Sequence, residues 1–122
     1  LPKEDVLIRV RIRRRKGEIV EVRVRGHGPL APGRDVLCAA VSAVTQTGLQ
    51  GLLHYGPDSV RWERDGGFLT MRVDPESLDD ERRAIFQVIL TTLHRGLQSI
   101  REENPEHMIL ESEDDTGVSH EA

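Results

Sequence analysis

Aromatic residues are scarce in this chain: Phe, Trp and Tyr together make up 3% of it. Any core must therefore be built from Val, Leu, Ile and Ala. Cysteine is scarcer still, with Cys38 alone. One cysteine cannot close an internal disulfide, which fits a reducing compartment and leaves a thiol to explain. No apolar run approaches the ~20 residues that cross a bilayer. Leu1 to Asp5 is charged and the first apolar stretch is broken by arginines, so no signal peptide is visible. A soluble cytoplasmic domain without membrane contact is the expectation. Metal-ligand spacing is also missing: His27, His54, His94, His107, His120 and Cys38 form neither C-x-x-C nor H-E-x-x-H. The segment GHGPLAPG lacks both G-x-G-x-x-G and a Walker lysine, which argues against a phosphate loop. No metal and no cofactor is expected.

What is present is charge. Charged residues make up 31% of the 122, with a net charge of −4, and the sign is unevenly spread. Residues 1–25 carry nine Lys/Arg against four Asp/Glu, whereas from Glu102 to Ala122 there are eight acids and no Lys or Arg. A basic start suits an anionic partner and an acidic end suits a solvated tail. The length corresponds to one domain. The expected division is a domain over residues 1–110 and an acidic, disordered tail over 111–122.

Strand signals open the chain. Ile8, Val10 and Ile12 alternate with Arg9, Arg11 and Arg13, and Val20, Val22 and Val24 with Glu21, Arg23 and Arg25. Lys16-Gly17 lies between them, which predicts a hairpin with one apolar and one arginine-rich face. A stretch poor in charge, Val36 to Leu53, predicts a helix apolar all round and therefore buried, with Asp35 as N-cap and Gly48 and Gly51 marking a loosened end. Val60–Arg64 and Phe68–Val73 flank Asp65-Gly66-Gly67 and predict a second hairpin, with Val60, Trp62, Leu69, Met71 and Val73 sharing a core face. Asp79 or Asp80 caps a second helix running to about Asn104, on the spacing of Ile85, Ile89, Leu93, Leu97 and Ile100. Met108 to Leu110 adds an edge strand. The order ββαββα implies an α+β fold, two helices packed on a mainly antiparallel sheet.

Chemistry concentrates around Gly26-His27 and Gly33-Arg34-Asp35-Val36-Leu37-Cys38. With Asp35 as cap, Cys38 is at the third helical position, near unpaired backbone N–H groups and the positive end of the helix dipole. That setting turns a thiol into a nucleophilic thiolate. His27, across a glycine-rich loop, is placed to take the thiol proton and later return it to a leaving amine. Backbone amides of the same turn are candidates for holding an oxyanion. Against this stands a bland alternative, a small buried cysteine in an apolar helix. Asp35 then serves as a cap, and Ser42, one turn beyond Cys38, packs or bonds back to its helix. A redox-sensing thiol is a minor third.

The motifs GHG, GRDVLCAAVSA and WERDGGFLTMRV, followed by a long amphipathic helix, resemble the ribosomal-processing cysteine protease family Prp over about Val6 to Asn104. That family carries G-H-A before a loop and then G-x-D-x-x-C-A-x-x-S. The resemblance implies a cytoplasmic, homodimeric cysteine protease that removes an N-terminal extension from large-subunit ribosomal protein twenty-seven during ribosome maturation. It puts the catalytic pair on Cys38 and His27, with Gly26, Asp35 and Ser42 as supporting motif residues. It also implies a loop that moves as substrate enters, here Gly28 to Arg34 with Gly33 near its end. Gly28 stands where the family usually has Ala, and Pro29 and Pro32 stiffen the loop.

A different class of function rests on Arg9, Arg11, Arg13, Arg23 and Arg25: a ribosome- or RNA-binding module without catalysis, its arginines contacting phosphates. No aromatics interleave for base stacking, and the pI near 5.7 tilts the sequence towards a solvated or dimer-paired face. A basic face also suits a protease whose substrate sits near ribosomal RNA.

Overall fold

The computed structural model describes residues 7–26, 35–114 and 119–121. In chain order it holds β1 (Ile8–Arg15), β2 (Glu18–Gly26), α1 (Asp35–Tyr55), β3 (Val60–Asp65), β4 (Phe68–Val73), α2 (Asp80–Glu103), β5 (Met108–Asp114) and β6 (Ser119–Glu121). The strands form one sheet in the order β3-β4-β2-β1-β5-β6. Only β1 and β5 run parallel among the described pairings, so the α+β layering expected from the sequence is the observed one.

The first hairpin turns where expected. Lys16 and Gly17 both have positive φ, 53° and 84°, as a two-residue turn matched to strand twist demands. A register shift between Arg13 and Arg14 pairs Arg14 with Ile19. The bulge lets Ile19, Val20, Glu21 and Val22 all be buried in succession. In the second hairpin Gly67 has φ +78°, and Val60, Leu69, Met71 and Val73 are buried. Trp62 is 50% exposed; it lies opposite Met71, but on an edge strand with no neighbour beyond it among the described residues.

One stripe of α1 (Leu37, Val41, Thr45, Leu49, Leu52) and one of α2 (Phe86, Leu90, Leu93, His94, Leu97) are buried with the apolar face of the sheet. Asp79 caps α2, its Oδ1 accepting from the backbone N–H of Arg82 at 2.8 Å. Arg83 reaches Glu18 on β2 through two hydrogen bonds of 2.6 and 2.8 Å, which hold the Glu18 carboxyl below its ordinary range.

Five expectations are corrected. The first helix is not buried all round: Val36 is 72% exposed and Ala39, Ala43, Thr47 and Gln50 face outwards. An outer-layer helix can turn only one stripe to a sheet. Gly48 and Gly51 do not loosen the helix, which runs on to Tyr55. They let α2 approach: a Cβ on Gly48 would stand 2.3 Å from Leu93 Cδ1, and one on Gly51 3.2 Å from Ile89 Cδ1. Residues 111–114 and 119–121 are strand rather than disordered tail, because Glu111 and Glu113 pair in parallel with Arg11 and Arg13 and β6 pairs back onto β5. β5 is therefore no edge strand. Finally, Val36–Tyr55 is by length and composition apolar enough to cross a membrane; in this fold its apolar stripe is core.

Candidate active site

The first turn of α1, the end of β2 and the β3–β4 hairpin enclose a groove of about 540 Å³. Ile8, Val24, Val41 and Leu69 give it an apolar lining. Cys38, Ser42, Thr45 and Gln46 line it from α1; Arg64 to Phe68 line it from the hairpin, and Gly26 from the end of β2. Asp35 is the first residue of α1 rather than the residue before it, so Cys38 is the fourth helical residue. It remains in the first turn, where backbone N–H groups lack intrahelical partners.

Cys38 is half-buried and packs against the core cluster. Ser42 stands one helical turn on and lines the same groove, as the i, i+4 spacing requires. Its Oγ accepts from the side-chain amide of Gln46, and Gln46 Oε1 in turn accepts from Arg64 Nη1 at 3.1 Å. Thr45 is fully turned inwards, its hydroxyl donating to Val41 O at 2.9 Å. At the other end, the Gly26 N–H donates to Gly67 O at 2.6 Å. The chain leaving β2 towards His27 is thereby tied to the tip of the second hairpin.

Of the residues singled out from sequence, the structure brings Gly26, Cys38 and Ser42 together in one groove. His27, Gly28, Gly33 and Arg34 lie outside the described residues. Arg9, Arg11, Arg13, Arg23 and Arg25 sit on the sheet face opposite the helices, as the pairing of apolar positions requires. Gln46, Arg64 and Gly67 were missed. Gln46 carried a signal, since 38, 42 and 46 share one helix face; Arg64 and Gly67 are brought in only by the tertiary fold. Among the described residues no three His, Cys, Asp or Glu side chains stand close enough to hold a metal ion.

A thiol in the first turn of a helix, an apolar trough beside it and a polar wall opposite suit attack on a carbonyl of an extended peptide. The comparisons agree with that chemistry. The family model of cysteine protease Prp matches residues 7–109. Two Staphylococcus aureus structures of an essential ribosomal processing protease Prp are similar. The complex with a substrate peptide has a TM-score of 0.73 at 25% identity, covering 87% of this chain and 99% of that one. The complex with a covalently linked product peptide has 0.72 at 28%, with the same coverage. SMU.848 from Streptococcus mutans shares the fold, with a TM-score of 0.75 at 23% identity over 93% of this chain and 100% of that one. No curated protein matches. The match over residues 7–109, on a groove holding the chain's one cysteine, makes this chain a member of the cysteine protease Prp family.

Proposed function

We propose that the protein is a cysteine endopeptidase that removes the N-terminal extension of large-subunit ribosomal protein twenty-seven as the ribosome matures. One observation carries this: Cys38 opens onto the groove between the first turn of α1 and the β3–β4 hairpin, at whose end Gly26 delivers the chain to His27. His27 takes the Cys38 proton, and the thiolate forms a C–S bond to the scissile carbonyl carbon. The oxyanion is held by backbone N–H groups of the first turn of α1. Collapse breaks the C–N bond as the His27 imidazolium protonates the leaving amine, leaving an acyl-enzyme. Water, deprotonated by His27, then cleaves the thioester and restores the thiol. Asp35 supports the start of α1, Ser42 the polar wall, and Gly28 to Arg34 form the loop that admits substrate.

The enzyme works in the cytoplasm, near ribosomal RNA, as a homodimer. Support for the dimer comes from the outward face between α1 and α2, a mostly apolar trough of about 540 Å³ bordered by Ala43, Thr47, Thr92 and Val88, the last 65% exposed. Intact-mass analysis during turnover tests the chemistry. A substrate-derived acyl adduct on Cys38 is expected to accumulate in the wild type, and neither adduct nor product with Cys38→Ala or His27→Ala. Unchanged cleavage by Cys38→Ala would overturn it.

A further inference from the structure

The face of the sheet away from the helices carries an arrangement that proteolysis does not use. In the β1–β2 register, Arg9 lies directly opposite Arg25, and Arg11 directly opposite Arg23. All four side chains are exposed. Like charges directly across a strand pair destabilise a sheet, so a two-by-two block of arginines works against the fold that displays it. Carboxylates among the described residues offset it only in part. Glu21, only 7% exposed, is shared by Arg13, Arg23 and Arg72 at 3.4, 3.4 and 3.1 Å. Glu113 lies 3.8 Å from Arg11. The Arg25 guanidinium stands 5.9 Å above the Phe68 ring.

Apart from Glu21, the acids that the described register puts on this face lie to either side. By register, Glu63 and Asp65 of β3 share this face two strands away, across β4, and Glu111 and Glu113 of β5 share it next to β1. A cationic strip centred on β1 and β2, continued at one end by Arg72 of β4 and Arg61 of β3, therefore runs between these acids. We infer that this strip binds the phosphate backbone of RNA. Guanidinium forks fit phosphate oxygens bidentately, and a strip without exposed aromatics between its arginines suits backbone contact rather than base stacking. Binding should be indifferent to sequence and steeply salt-dependent. The acidic pI argues against a protein that is basic all over, whereas the charge here is local to one face of the sheet.

Fluorescence anisotropy with a labelled RNA hairpin of about twenty nucleotides tests this, using the full-length chain at rising salt. If the four arginines engage four phosphates, affinity should fall about 50- to 150-fold between 50 and 200 mM salt. Arg11→Gln/Arg23→Gln should lose most of the binding and flatten the salt slope, while Arg11→Lys/Arg23→Lys keeps the charge and should retain it within several-fold. Arg82→Gln/Arg95→Gln, on α2, should bind as wild type. Melting curves guard against misfolding, and removing a like-charge pair should leave the midpoint unchanged or raised. No binding at 50 mM salt would overturn the inference, as would undiminished binding by the Gln variant. So would a labelled polyglutamate peptide bound as tightly as the RNA, which would make the strip a contact for acidic protein. Cys38→Ala should bind RNA normally, so the result stands apart from the protease reading.

Discussion

The backbone N–H of Gly26 donates to the carbonyl of Gly67 at 2.6 Å, joining the residue before His27 to the tip of the β3–β4 hairpin. Gly67 has φ +78°, in the left-handed region where a side chain costs about 1–2 kcal/mol. Gly67→Ala should lower stability by about that much and tilt the carbonyl that anchors Gly26. Cleavage by the folded variant, measured well below its melting midpoint, should fall several-fold. Wild-type kcat/KM in a destabilised variant would show that the anchor does not matter to the site.

Gln46 bridges the two walls of the groove, donating to Ser42 and accepting from Arg64 at 3.1 Å. Gln46→Leu removes both bonds while filling similar volume. Net hydrogen-bond contributions of about 0.5–1.5 kcal/mol translate into a two- to tenfold fall in kcat/KM. Arg64→Met, which breaks only the outer bond, should cost less. Peptide-cleavage kinetics of the two variants check the order.

Gly48 distinguishes two accounts of the first helix. At a loosened helix end, alanine would stabilise by up to about 1 kcal/mol. Here its Cβ meets Leu93 at 2.3 Å, and Leu93 is 3% exposed. Overpacking of that kind costs about 1–3 kcal/mol, so Gly48→Ala should lower the urea midpoint.

That contrast shows what the sequence carried. Alternation in β1 and β2, the two turn dipeptides, the Asp79 cap and the spacing of Ile89, Leu93 and Leu97 are local, and each was legible. Motif order placed Cys38 and Ser42 in one site because i and i+4 share a helix face. What escaped was non-local. Gly48 reads as a breaker until Leu93 is seen above it, and Glu111 and Glu113 read as a tail until Arg11 and Arg13 stand beside them. Arg64 lies 18 residues from Gln46 in the chain, and only hairpin packing brings the two together.

His94 makes stability depend on pH. It is 6% exposed, its Nδ1 accepts from Arg14 Nη2 at 3.2 Å, and its Nε2 is buried without a hydrogen-bond partner among the described residues. Burial first, then the Arg14 and Arg95 charges, push its pKa below the ordinary 6.5. The unfolded chain thus takes up a proton at this site more readily than the folded one. Stability from neutral His94 is complete above about pH 6.5 and lost as pH falls below it, by up to about 1.4 kcal/mol per pH unit. Urea midpoints at pH 7.5 and 5.5 should differ more for the wild type than for His94→Gln. Equal acid sensitivity would assign the effect to other groups.

Mass spectrometry of the host's full-length ribosomal protein twenty-seven, after incubation with reduced wild-type enzyme and with Cys38→Ala, decides whether this chain is its processing protease. A single N-terminal cut by the wild type and none by the variant is the expected result. An intact substrate in both, or the same cut in both, would contradict it.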